Sequence, residues 1–99
     1  MRLTKQQTLF IKEKVGDIFG PEAGVRLFGS RVDDEIRGGD IDLLIELPKP
    51  IERSAKRSMV LSGALQQEFG AQKIDIVVYT VGQPLQPIHR EAWETGIRL

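Results

Sequence analysis

The residues most able to do chemistry lie in two separated stretches of the chain. A Gly-Ser pair, Gly29 and Ser30, follows one apolar segment, and a D-I-D motif with carboxylates at Asp40 and Asp42 opens the next. A third carboxylate, Asp75, holds the matching place in a later apolar run, KIDIVVY. Side chains alternate along a strand, so two acids spaced by two residues point to the same face. The pattern predicts three carboxylates that converge on one cleft.

Carboxylates grouped in this way suit a hard divalent cation. Mg²⁺ prefers oxygen ligands and is commonly held by a couple of carboxylates together with substrate phosphates. Without a cation, such acids would repel one another and raise one another's pKa. In a two-ion scheme, one ion lowers the pKa of an attacking hydroxyl and the other supports a leaving pyrophosphate. We therefore expect Asp40, Asp42 and Asp75 to bind Mg²⁺ and to act in catalysis.

The Gly-Ser pair predicts a phosphate site beside these acids. Glycine at position 29 lets the backbone turn sharply and approach a ligand closely. A short helix starting at Ser30 would direct free N–H groups and a positive dipole end towards phosphate oxygens. Arg31 would add a charge-assisted hydrogen bond to the nucleotide. It could equally be a solvated surface residue or an ion-pair partner of Asp33, Asp34 or Glu35. Gly-Ser or D-I-D alone also fits an ordinary turn or strand start. Their combination favours a site.

Helices are predicted where apolar residues recur at helical spacing between breakers. They cover residues 5–19, residues 51–69 and a short tail that begins near Ile88. Thr4 and Gln7 have the spacing of a capping box at the start of the first helix. In the second helix, the apolar positions expected on one loose face are Ala55, Met59, Val60 (or Gly63), Leu61 and Phe69. The tail is expected to pack Ile88, Ala92 and Trp93 onto the sheet and to leave His89 on the surface.

Strands are predicted over residues 25–28, 41–47 and 74–79. The first two are joined too closely for a crossover and are expected to be antiparallel, whereas a whole helix separates the last two, which are expected to be parallel. The sequence thus predicts one domain over residues 1–99, of the α/β (α+β) class, with a small three-stranded mixed sheet flanked by helices.

Composition narrows the range of functions. Fourteen basic and fourteen acidic side chains cancel, which argues against a nucleic-acid-binding protein. The absence of cysteine rules out disulfides and thiolate metal sites, and it favours a cytoplasmic location. No apolar stretch approaches the ~20 residues of a membrane span, and the amphipathic first residues do not resemble a signal peptide. We expect no association with a membrane.

The combined motif resembles the minimal nucleotidyltransferases, the smallest members of the DNA polymerase beta superfamily. The shared pattern is a strand followed by Gly-Ser, a D-x-D motif that opens the next strand, and a later strand carrying a third acid. This resemblance implies the nucleotidyltransferase fold, with Gly29 and Ser30 binding the triphosphate and Asp40 and Asp42 holding metal. Asp75 would complete the triad as a metal ligand or as the base for the attacking hydroxyl. One departure is Gly39, where relatives often carry Ser or Thr.

The resemblance also implies a partner. Many minimal nucleotidyltransferases are encoded beside a HEPN-domain ribonuclease and act as its antitoxin, in some cases by transferring AMP from ATP to a tyrosine of the toxin. We therefore expect ATP, Mg²⁺ and a HEPN-type toxin as ligands and partner, within a homo-oligomer or a hetero-oligomer.

Two other functions stay open at this stage. The chain could be a binding module that neutralises its partner by contact, with a vestigial nucleotide site. It could also modify a small molecule, as aminoglycoside-modifying relatives do, although those relatives generally carry an extra C-terminal domain. A triad mutant that still bound and inhibited the partner would favour the first alternative over catalysis. An adenylylated small molecule, with no protein acceptor, would favour the second.

Overall fold

A computed structural model describes residues 3–32, 40–70 and 72–99, with the backbone alone at Ser30. Eight elements follow one another along the described chain: α1 (Lys5–Phe19), β1 (Gly24–Phe28), a 3₁₀ turn (Gly29–Val32), β2 (Ile41–Leu47), α2 (Ser54–Phe69), β3 (Ile74–Thr80), α3 (Pro87–Thr95) and β4 (Ile97–Arg98). Within the described ranges, no helix is long and apolar enough to cross a membrane.

The strands form one mixed sheet in the order β3-β2-β1-β4. The central strand β2 pairs antiparallel with β1 and parallel with β3, which confirms the predicted directions. Helices flank the sheet, as predicted. A short fourth strand, Ile97–Arg98, extends the sheet by pairing antiparallel with β1 and was not predicted.

Helix α1 begins where its cap predicts. The Gln7 backbone N–H donates to Thr4 Oγ1 at 3.0 Å, and the Thr4 N–H donates to Gln7 Oε1 at 2.9 Å. These two bonds satisfy donors that the first turn of a helix leaves without partners. Ile11, Val15 and Phe19 then bury one face of the helix.

The larger part of the core lies between the sheet and the first two helices. The odd-numbered residues of β2, from Ile41 to Leu47, are fully buried in this layer. From α2 the layer takes Leu61 and Leu65. Met59 and Val60 are exposed, so their predicted place on the apolar face of α2 is wrong.

A second, smaller core lies between the opposite face of the sheet and α3. Phe28, Leu44, Tyr79 and Ala92 are buried there, and Trp93 packs against them. Ile88 of the same helix is exposed, so its predicted place on the sheet is wrong. His89 is buried as well and meets the Tyr79 ring edge-on at 5.0 Å, so its predicted surface position is wrong. Its helix is amphipathic, and the face that carries His89 turns inwards.

Candidate active site

Two of the predicted acids meet across the parallel strands. The register of β2 and β3 pairs Asp42 with Asp75, then Leu44 with Val77 and so on along the strands. Residues opposite each other in a parallel pair point to the same face of the sheet. That face also carries Leu44, which belongs to the smaller core beneath α3. The two carboxylates therefore lie side by side at the edge where both strands begin.

The electrostatics of Asp42 show that the three predicted acids act on one another. Partial burial is the largest cause that raises the pKa of Asp42 above its ordinary value of 3.8. The charge of Asp75 and a side-chain hydrogen bond with it raise this pKa further, and the charge of Asp40 adds to them. Asp40 itself is exposed and lies one residue before β2. Asp42 is thus the inner member of the group and Asp40 the outer one.

Gly29 lies directly against Asp42. Its φ of +78° is a conformation that side-chain-bearing residues rarely adopt, and a Cβ at this position would lie 2.1 Å from Asp42 Oδ2. The preceding residue, Phe28, is the antiparallel partner of Asp42 in the sheet. Glycine is required here because the carboxylate occupies the space that a side chain would fill.

The short helix predicted at Ser30 is a 3₁₀ turn in the described residues. It spans Gly29–Val32 and starts one residue earlier than expected. The turn begins at Gly29, which lies against Asp42, and the prediction for the Ser30 hydroxyl lies outside the described atoms. Arg31 Nη2 donates to Gln72 Oε1 at 3.1 Å, which ties the turn to the segment before β3. Its alternative partners, Asp33, Asp34 and Glu35, lie outside the described residues.

Two residues near the acids were missed in the sequence. Gln72 holds Arg31, and the ammonium of Lys73 lies 3.9 Å from Asp75 Oδ2. The Lys73 carbonyl also accepts a hydrogen bond from the Ile41 N–H at 2.9 Å. The sequence spacing could have indicated Lys73. It precedes Asp75 by two residues, and side chains two apart along a strand lie on the same face of the sheet.

The donor groups fit a hard cation. Asp42 and Asp75 form a contacting pair of like charge whose Asp42 carboxyl is partly buried, and Mg²⁺ favours such carboxylate oxygens. A divalent ion would remove the repulsion that, after burial, raises the pKa of Asp42. The described residues contain no group of three or more acidic or histidine side chains already arranged around a metal position. The fit of the site to a cation therefore rests on Asp42 and Asp75, and Asp40 lies exposed at the outer side of this pair.

Most of the chain matches a known protein family. The nucleotidyltransferase domain family matches residues 10–95, a stretch that contains the sheet from β1 to β3 and all of the acids above. The chain belongs to this family, and its mixed sheet flanked by helices is consistent with the nucleotidyltransferase fold. Membership supports transfer of a nucleotidyl group as the general activity. No curated protein sequence shows significant similarity to the chain.

Proposed function

We propose that this protein is an Mg²⁺-dependent nucleotidyltransferase that moves AMP from ATP to a tyrosine hydroxyl of a HEPN-type toxin and so acts as its antitoxin. The observation that carries the catalytic part is the in-register Asp42–Asp75 pair with Gly29 against it. Family membership supports the nucleotide donor. The toxin and its tyrosine follow from the resemblance to minimal nucleotidyltransferases.

Each part of the site has a role in this proposal. Asp42 and Asp75 would hold Mg²⁺, with Asp40 adding negative charge from the rim. When bound, the ion neutralises phosphate charge and lowers the pKa of a nearby hydroxyl. The backbone of the turn that begins at Gly29 would face the triphosphate, because glycine leaves the main chain there free of a side chain.

The reaction itself is a displacement at the α-phosphorus of ATP. The acceptor oxygen forms a bond to that phosphorus, the bond to the oxygen that bridges to the β-phosphate breaks, and pyrophosphate leaves. The proton of the acceptor hydroxyl passes to the Asp75 carboxylate. Asp75 suits this role because its side chain is about half exposed, at 49%, and is reachable from solvent. Positioning and charge neutralisation supply most of the rate enhancement in such transfers.

The openness of the acidic edge favours a protein acceptor. Asp40 is exposed and Asp75 is half exposed, so in the described part of the chain the acids lie on a surface rather than in an enclosed pocket. A small acceptor binds best in a concave site that buries most of its surface. A protein acceptor brings its own surface and needs only an accessible tyrosine that reaches the acids.

A second candidate, neutralisation of the toxin by contact alone, is favoured by a different surface. Val81, Leu85 and Ile88 are exposed in and after the loop that joins β3 to α3. Neighbouring exposed apolar residues often mark a protein interface. Under this alternative, binding through that loop would inhibit the toxin without any transfer of AMP.

The test uses the product of the neighbouring gene, which the proposal expects to be a HEPN-type toxin. It is incubated with the protein, ATP and Mg²⁺, and intact masses are read for the wild type and for Asp42→Asn. A mass gain of one adenylyl group on the toxin, absent with the variant, supports catalysis. A stable complex with no mass gain would contradict catalysis and favour contact, and an adenylylated small molecule without a protein acceptor would contradict the toxin as substrate.

A further inference from the structure

Lys73 is the one basic side chain among the described residues that is shown in contact with the catalytic acids. Its ammonium lies 3.9 Å from Asp75 Oδ2, and its charge lowers the pKa of Asp42 against the larger opposing effects. Neither the sequence motif nor the proposed roles of the acids account for it. A basic side chain in this position could contact a negatively charged group of the substrate.

The backbone of Lys73 is fixed although its side chain is not. The Lys73 carbonyl accepts from the Ile41 N–H, which places the residue at the start of the two parallel strands. The residue before it, Gln72, holds Arg31 of the 3₁₀ turn. Lys73 therefore stands between the turn that would face the triphosphate and the acids that would hold the cation.

The contact with Asp75 is too weak to be a structural ion pair. The Lys73 side chain is 69% exposed and 3.9 Å from its partner, whereas Arg26 and Glu46 lie 2.6 Å apart with exposed fractions of 24% and 23%. Exposed ion pairs contribute little to folding because water screens them and flexible side chains lose entropy. Lys73 can therefore leave Asp75 at little cost.

We propose that Lys73 binds a phosphate of the nucleotide donor and exchanges its contact with Asp75 for that phosphate as the donor arrives. This inference rests on the proposed function and adds a residue to it. An ammonium is a compact charge with three rotatable donors, which suits a polyphosphate whose oxygens differ in position between bound states. Release of Lys73 also frees the Asp75 carboxylate to accept the proton of the acceptor.

The proposal predicts different effects of a Lys73 substitution on the binding of two ligands, the triphosphate and Mg²⁺. Removing the charge with Lys73→Gln should weaken binding of the triphosphate by about tenfold, a low value for a charge-assisted hydrogen bond because the site is exposed. The same change should leave binding of Mg²⁺ alone equal or tighter, because a positive charge beside the carboxylates is lost. A merely structural role would weaken both together or lower the Tm.

The experiment is calorimetric titration with α,β-methylene-ATP and Mg²⁺, and separately with Mg²⁺ alone, for the wild type and three variants. Lys73→Gln is the test, Lys73→Arg is the conservative variant expected to recover most of the affinity, and Lys49→Gln is the control. Lys49 is exposed beyond the opposite end of β2. The Tm of each variant is measured alongside.

The outcomes distinguish this inference from the function beneath it. Loss of nucleotide affinity in Lys73→Gln, with Mg²⁺ binding and Tm retained, supports the phosphate contact. Wild-type affinity in Lys73→Gln overturns the contact while leaving the nucleotide donor intact. No nucleotide binding by the wild type overturns the proposed function and this inference with it. An equal loss in Lys49→Gln would show a general charge effect and would also overturn the contact.

Discussion

Strand β2 carries two carboxylates on one face, four residues apart, in opposite circumstances. Glu46 accepts from Arg26 Nε at 2.6 Å and from Trp93 Nε1 at 3.1 Å, so both of its oxygens have partners. Asp42 has two other acids around it and, among the residues that the structure describes, only the exposed Lys73 to oppose them. Glu46 is bound into the fold, whereas Asp42 is kept in surroundings that disfavour its charge. A carboxylate of the second kind indicates a site for a cation.

The difference has a thermodynamic consequence. Charge repulsion and burial at Asp42 disfavour the ionised folded state, and a bound divalent cation would reverse that effect by mass action. The hydrogen bonds of Glu46 act in the opposite direction, since they stabilise the fold whether or not a ligand is present. Removing the Asp42 carboxylate should therefore lower activity without lowering stability, whereas removing the Glu46 carboxylate should lower stability and leave activity nearly unchanged.

The largest effect is expected for Asp42→Asn. Transfer of AMP should fall by about 10³-fold or more, because residues that act as one catalytic unit fail together. The Tm of the Mg²⁺-free variant should rise, because the amide removes a repelled charge. Transfer from ATP labelled at the α-phosphate and thermal melts in EDTA check the two parts. Retention of transfer would show that the acids are not the catalytic group.

A smaller loss is expected for Gly29→Ala. The new Cβ would meet Asp42 Oδ2 at 2.1 Å, so the Asp42 carboxylate must leave its present position. We expect transfer to fall by about 10²-fold and the positive φ to cost about 1–2 kcal/mol of stability. Gly63→Ala is the matched control, because its Cβ would meet nothing within 4 Å. Equal transfer by Gly29→Ala and wild type would contradict the tight packing of Gly29 on Asp42.

The counterpart at the other end of β2 is Glu46→Gln. Weakening the bonds to Arg26 and Trp93 should lower the free energy of unfolding by about 1–2 kcal/mol. For a domain of this size, each kcal/mol corresponds to roughly 4–8 °C in Tm. Transfer at a temperature where the variant is folded should stay within about twofold of wild type. Urea denaturation and the transfer assay check this, and loss of transfer without loss of stability would break the comparison.

The smallest effect concerns pH. Burial, Asp75 and Asp40 raise the pKa of folded Asp42 above the ordinary 3.8 of the unfolded chain. Between these two values the folded state holds more protons than the unfolded state, so stability falls as pH rises through that window. The difference in free energy of unfolding between wild type and Asp42→Asn, measured against pH in EDTA, should show this fall. Saturating Mg²⁺ should reduce it, and a rise in stability with pH would contradict the raised pKa.

Much of the site could be predicted because its signals are local. Strand β2 was predicted at its observed limits, since a run rich in apolar residues starts at Ile41 and ends before Pro48. The parallel register of Asp42 with Asp75 followed from their equal places in two strands joined by a helix. The capping box of α1 depends on two residues three positions apart. Each of these features needs only neighbouring residues and general chain geometry.

The missed features depend on contacts between distant segments. A two-residue strand such as Ile97–Arg98 has no period, and it forms because Gly96 lets the chain pass close to the carbonyls of Ala92 and Leu27. His89 is buried because Tyr79 of β3 lies beneath α3, which the spacing of the tail alone does not show. The proposed role of Lys73 could not be predicted because it depends on the contact of Lys73 with Asp75 and on the bond between the neighbouring Gln72 and Arg31.

The most direct test of the central contrast is a titration of the ¹⁵N-labelled protein with Mg²⁺, followed by NMR. We expect the amide signals of Gly29, Asp42 and Asp75 to move with one saturating curve. The amide of Glu46 and the indole N–H of Trp93, which donates to Glu46, should stay in place. Shifts centred on Glu46 and Trp93, or none at Asp42, would contradict the assignment of the acidic end of β2 as the active site.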